Sequence, residues 1–352
     1  MKKVSRKEFL ALAGVAGMSL VLAGCGESSS SSTTETTTSE STESTETTES
    51  SNSASGDTIA DLRFVTGGES GTYYAFGSVI AQHATNNTNV KVTALVGNGS
   101  QANIVAIEDG DAELAFCQSD VMAYAYAGTN LFDGEPVDCF STVAALYQET
   151  VQIVTCDPDI KTVADLKGKN VSIGSAGSGV YFNAIDVLGV YGLTEDDITP
   201  TYQSFGDSAD ALKDGKIDAA FIVAGAPTTA ITDLSTSKTA YLVALDEEHV
   251  EELLKTSEYY QEATIPGGTY TGVDDDVITV AVSAVILAAD SVSEDAVYTF
   301  VADIFDNAAD LVESHAKYAE LSIENGASIT SVPYHPGAAK YFEEKGYTVA
   351  TK

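Results

Sequence analysis

The 352-residue sequence predicts an α/β protein built as two similar lobes joined by a pair of crossing strands. Three observations carry this: alternation of short β-like and helical patterns, an internal repeat, and two apolar runs lying outside that repeat. The β-like runs include 62–66, 90–96, 114–117, 151–156, 171–173 and 219–223. Strands separated by helical patterns read as βαβ units in a largely parallel sheet.

The repeat emerges when segments are laid side by side. Arg63-Phe64-Val65-Thr66-Gly67-Gly68-Glu69-Ser70-Gly71-Thr72-Tyr73-Tyr74 matches Val171-Ser172-Ile173-Gly174-Ser175-Ala176-Gly177-Ser178-Gly179-Val180-Tyr181-Phe182 as strand, Gly/Ser loop and aromatic-led helix. Further on, the stretch from Gly110 to Phe116 matches that from Gly215 to Phe221. The offsets, 108 and 105 positions, agree within three. The apolar runs 147–156 and 277–287 have no visible counterpart and are the expected crossings. Residues 58–152 with 278–352 then form the first lobe and 153–277 the second, with terminal helices around 293–322 and 336–345. This is a type II, Venus-flytrap periplasmic-binding-protein architecture.

The N-terminus has a different character. Lys2, Lys3, Arg6 and Lys7 precede the apolar run 9–22, which closes in Leu22-Ala23-Gly24-Cys25. A basic start and a short apolar stretch make a secretory signal peptide over residues 1–25. The cysteine after small residues resembles a bacterial lipobox, with lipid expected on Cys25 and stable anchoring on an extracytoplasmic membrane face. Residues 26–57 are Ser, Thr and Glu with almost no apolar side chains, too little to offset ordering entropy, and are expected to form a disordered tether. Four of the 17 basic residues and one of the 52 acidic ones precede Cys25, leaving 13 against 51. So acidic a chain disfavours nucleic acid as a partner. Beyond Cys25, three cysteines (Cys117, Cys139 and Cys156) lie in or beside apolar runs, where they read as small buried hydrophobes or as one oxidised pair.

The Gly/Ser loops carry the chemistry. Each follows a strand and opens a helix, so backbone N–H groups and the positive helix end make an anion site. A third turn, Gly97-Asn98-Gly99-Ser100, has the same grammar. In an open α/β sheet such turns lie at the carboxyl ends of strands, where ligands bind. The candidate ligand-binding residues are therefore Thr66, Gly67, Ser70, Gly71 and Thr72 in the first loop, Asn98, Gly99 and Ser100 in the third, and Ser175, Gly177, Ser178 and Gly179 in the second. Tyr73, Tyr147 and Tyr202 are candidate cleft aromatics, each with core packing as its competing role. Arg63, the one arginine after Cys25, sits early in its strand and is expected at the surface. Glu69 could face the cleft, where it would favour an ammonium group.

Motifs for catalysis are not readable. His83, His249, His315 and His335 lack metal-ligand spacing, and neither a nucleophile elbow nor a phosphate-binding loop occurs. The expectation is a binding protein with no cofactor and no metal, not an enzyme.

Blocks along nearly the whole of the remaining chain then read together. They include Thr66 to Tyr74, Gly99-Ser100, Phe116-Cys117-Gln118-Ser119-Asp120, Ala145-Leu146-Tyr147, Val163 to Lys169, Gly174 to Gly179, Ala224-Gly225-Ala226-Pro227, Thr264 to Tyr270 and Pro333 to Ala338. In this order they resemble the TAXI family of solute receptors of TRAP transporters. The resemblance implies a receptor that gives a small carboxylate or amino acid, such as glutamate or glutamine, to an ion-gradient-driven membrane permease. It adds Gln118, Ser119, Asp120, Gly225 and Pro227 to the ligand-binding candidates. A receptor of the same fold serving a membrane sensor kinase is the alternative.

Overall fold

The first lobe starts as a plain βαβ series, because each apolar strand leads into a helix with a buried face, through a glycine turn after the first two strands and directly after the third. In the computed structural model, which describes residues 58–132 and 134–352, this series is β1 (Ala60–Val65), α1 (Thr72–Asn87), β2 (Val90–Leu95), α2 (Ser100–Glu108), β3 (Leu114–Gln118) and α3 (Ser119–Ala127). The expected signal peptide over residues 1–25, with Cys25, and the expected tether over 26–57 lie outside the described residues. A long strand, β4 (Phe140–Thr155), then leads into a second series. This contains β5 (Asn170–Ser172), α4 (Val180–Val190), β6 (Thr199–Thr201), α5 (Phe205–Lys213), β7 (Ala219–Ala224), α6 (Thr229–Ser237) and β8 (Tyr241–Val243). After α7 (Glu247–Thr256) and β9 (Gln261–Ile265), the second long strand, β10 (Val277–Ala289), returns the chain to the first lobe. There α8 (Glu294–Asp306), the one-turn α9 (Ile323–Gly326) and α10 (Pro336–Glu344) complete it.

The strand order makes the repeat explicit. Lobe 1 runs β2-β1-β3-β10-β4 and lobe 2 runs β6-β5-β7-β4-β8. In each, three parallel strands accept a long antiparallel strand arriving from the other lobe. β4 and β10 pair with each other from Ala281–Thr150 to Ala289–Phe140, with register shifts after Ser283 and after Ile286. β10 leaves β9 and joins β3 between Ala281 and Ala284, and β4 begins pairing with β7 at Thr150. The lobes therefore meet where Glu149 pairs with Val282.

Burial explains these elements. All residues of β3 and β7 are buried, as expected for strands covered by helices on both faces. Phe64, Phe76, Phe116, Phe300 and Phe342 anchor the lobe 1 core. In lobe 2 alternate β7 residues split between two cores, with Ala219, Phe221 and Val223 on one face and Ala220, Ile222 and Ala224 on the other. Two expectations need correction. The helix expected around 293–322 ends at Asp306, where the Asn307 side chain donates to the Asp303 carbonyl. Of the three cysteines only Cys117 is buried; Cys139 is exposed beside the start of β4, Cys156 is half-buried, and all three are free.

Candidate ligand-binding site

Six strand ends from the two lobes converge on one cavity of about 90 Å³, enough for several waters or one small solute. Lobe 1 contributes Gly67, Gly71, Thr72 and Tyr73 after β1, Asn98, Gly99 and Ser100 after β2, and Gln118 at the end of β3. Lobe 2 answers from equivalent places, with Ser175, Ser178, Gly179 and Val180 after β5, Ser204 and Phe205 after β6, and Val223 and Ala224 at the end of β7.

Helices α1, α2 and α4 begin at this cavity. Their first-turn N–H groups have no intrahelical acceptor, and the preceding residues, Gly71, Gly99 and Gly179, offer no side-chain cap. Helix α5 differs, since the Ser204 side chain accepts from the Asp207 N–H. These helix starts, which lack side-chain caps, give the cavity a lining suited to an anion, although one α2 donor, the Ala102 N–H, is taken by the Gly177 carbonyl. The buried Ser178 hydroxyl has no hydrogen-bond partner in the protein.

The opposite character comes from Glu149, on β4 where the lobes join. It is 2% exposed and lines the cavity. Burial raises its carboxyl to about 8, opposed by the neighbouring Tyr73 hydroxyl and by the charge of Lys317. That hydroxyl approaches the carboxylate outside regular hydrogen-bond geometry and has no other partner. Its ring lies flat on Phe116, with centroids 4.5 Å apart.

The lobes are closed over this space. The Gln118 amide donates to Asn183 Oδ1 at 2.8 Å, the Thr72 hydroxyl to the Gly225 carbonyl at 2.9 Å, and the Ala102 N–H to the Gly177 carbonyl at 2.9 Å. Two glycines permit that approach. A Cβ on Gly99, whose φ is +100°, would sit 3.0 Å from Ser178 Cα, and one on Gly179 would sit 1.3 Å from Gln118 Oε1.

The remaining candidates lie around this space rather than on its walls. Thr66 donates to the Leu95 carbonyl, the Ser70 carbonyl accepts from Ala230 N–H, and the Ser119 hydroxyl accepts from Ser283 N–H. Asp120 is buried and accepts from Asn183 at 3.0 Å; burial raises it to about 7. Asn183 also reaches the Tyr260 hydroxyl, which donates to Asp186. Gly177 and Gly225 act through their carbonyls in the closing contacts. Tyr147 and Pro227 border a separate cavity of about 680 Å³ beside Lys317. Tyr202 is 45% exposed and bonds Glu195, outside the closed cavity. Glu69 is exposed, and Arg63 is at the surface, paired with Glu113 at 2.6 Å. Sequence reasoning missed Glu149, Ser204 and Phe205. Glu149 had one signal, the lone charge in a 16-residue strand. Among the described residues no group of His, Cys, Asp or Glu is placed to hold a metal, and no helix there is long and apolar enough to cross a membrane.

Residues 64–346 match the NMT1-like family, which is most of the chain. The protein belongs to the NMT1-like family. A solved structure from Bordetella bronchiseptica RB50 is similar at 15% identity over 80% of this chain and 88% of that one, with a TM-score of 0.50. The alkanesulfonate-binding protein SsuA from Xanthomonas axonopodis pv. citri, bound to MOPS, matches at 19% identity over 82% and 84%, with a TM-score of 0.47. The substrate binding protein of an amino acid ABC transporter matches at 13% over 74% and 96%, with a TM-score of 0.42. The architecture is that of two-lobed periplasmic binding proteins.

Proposed function

We propose that this protein is an extracytoplasmic solute-binding receptor, not an enzyme, that closes its lobes over a small organic acid or amino acid. Following the TAXI resemblance, it hands that solute to a TRAP-type secondary transporter. A single observation carries the receptor reading: helix starts without side-chain caps, from both lobes, converge on one cavity between the lobes. An acid group on those N–H groups gains charge-assisted hydrogen bonds of about 1.5–3 kcal/mol each. Donors from the second lobe reach the solute only on closure, so binding and closure are coupled. The candidate loops of both lobes, with Ser175 and Ser178, are the proposed carboxylate site.

A thermal-shift screen against amino acids, dicarboxylates and sulfonates tests it. A solute at 100 times its Kd is expected to stabilise the protein by roughly 2.7 kcal/mol. Failure of every acid in the panel would overturn the receptor reading. Delivery to a TRAP permease is tested by uptake into vesicles containing that permease; uptake that does not depend on added receptor argues against it. Anchoring through Cys25 predicts that Cys25→Ser moves the protein to the soluble fraction, and continued membrane attachment would rule the anchor out.

A further inference from the structure

Glu149 has a place that anion binding alone does not use. Buried on the strand where the lobes join, it lines the same cavity as the helix starts of α1, α2 and α4. It forms no ion pair with a Lys or Arg among the described residues. The cation whose charge influences it, Lys317, is engaged by Glu320, by the Ala226 carbonyl at 3.0 Å and by the Tyr147 ring. We propose that Glu149 selects for an amine: the solute is an amino acid whose ammonium group lies on the Glu149 carboxylate while its acid group lies on the helix starts. On binding, Glu149 gives up its proton to solvent, one per solute.

This rests on the receptor reading and narrows its substrate class. A buried carboxylate without a counter-charge holds its proton, and burial indeed raises Glu149 to about 8. A bound ammonium supplies both the missing charge and up to three donors for the two oxygens. Tyr73 provides at most one. The other groups that face Glu149 cannot replace the amine: Cys117 on β3 and Tyr147 on the same strand are held neutral by burial, and Asp120 on α3 is itself acidic. An acid without an amine would leave this end of the cavity without a partner of opposite charge.

The test uses the twenty common amino acids beside the 2-oxo acids of the same skeletons, first by thermal shift and then by calorimetry on any responder. Calorimetry at pH 7 in two buffers of different ionisation enthalpy counts protons exchanged by the unmodified protein. The expected result is an amino acid bound at least about 100-fold more tightly than its 2-oxo counterpart, with close to one proton released. Affinity should rise about tenfold from pH 6 to pH 7, because the solute binds the ionised form of Glu149. In a folded Glu149→Gln protein, affinity should fall about 100-fold and the proton release attributable to Glu149 should vanish. Asp120 titrates in the same range but does not line the cavity, and it remains in that variant. Equal binding of the 2-oxo acid, proton uptake or no exchange, or wild-type affinity in Glu149→Gln each overturns the inference. Response to 2-oxo acids alone does so while leaving the receptor reading intact; silence across both sets counts against both.

Discussion

The two halves of the repeat share one backbone plan and divide the work between them. In lobe 1 the β1–α1 and β2–α2 turns stand beside Tyr73, Gln118 and Glu149, side chains of three different chemistries. In lobe 2 the equivalent turns present Ser175, Ser178, Ser204 and backbone, with Phe205 as the one large side chain. The side-chain variety of the cavity lining therefore concentrates in lobe 1, and lobe 2 contributes mainly hydroxyls and backbone. If the turns bind the acid group as proposed, the asymmetry means that the repeated strand-to-helix turns supply the anion site and the non-repeated positions supply specificity.

Gly179→Val strikes the closing face and should have the largest effect. Its Cβ would lie 1.3 Å from Gln118 Oε1 and 2.9 Å from Ser100 Oγ, so the lobes must separate or Gln118 must leave its bond to Asn183. Solute affinity should fall about 100-fold or more, with the fold intact by circular dichroism and a larger radius of gyration by X-ray scattering. Gln118→Ala removes the interlobe bond from the other side without adding bulk, and calorimetry should register a loss of about tenfold. If Gln118→Ala costs more than Gly179→Val, closure is not what Gly179 protects. Ser178→Ala, which leaves the backbone donors in place, should cost only about threefold to fivefold.

Solution pH separates the lobes in another way, since both strongly shifted carboxyls belong to lobe 1. Burial raises Glu149 to about 8 and Asp120 to about 7. Their contribution to stability is complete below the ordinary carboxylate range and is lost as pH rises through about 7 and 8, where the folded state must ionise them. The solute-free protein should therefore lose Tm between pH 5 and pH 8.5. Glu149→Gln and Asp120→Asn should each flatten that loss, by about 5 °C at the alkaline end. A Tm that rises over this range would contradict the burial of both groups.

Much of this division could be read from the sequence, and the physical reason is local. The loops from Thr66 to Thr72 and from Gly174 to Gly179 announce themselves because glycine and serine disfavour both strand and helix interiors, and glycine alone readily takes the positive φ that Gly174 and Gly177 adopt. The long strands appeared as apolar runs, 147–156 and 277–287, although β4 starts earlier, at Phe140, and has a three-residue counterpart in β8, too short to register as a repeat. What the sequence hid depends on the third dimension. Tyr147 and Glu149 sit two residues apart on one strand, yet Glu149 lines the interlobe cavity and Tyr147 the neighbouring one. Glu69 belongs to a cleft-forming loop but points to solvent. Gln118 and Asn183 are separated by 65 positions and meet only because the lobes close.

A crystal structure of the protein with whichever acid responds in the thermal screen tests the central claim most directly. The account predicts closed lobes, with the solute's acid group within hydrogen-bond distance of first-turn N–H groups from both lobes, α1 or α2 on one side and α4 on the other. A solute seated instead in the cavity beside Tyr147 and Lys317, or held by one lobe with the helix starts unoccupied, would contradict it.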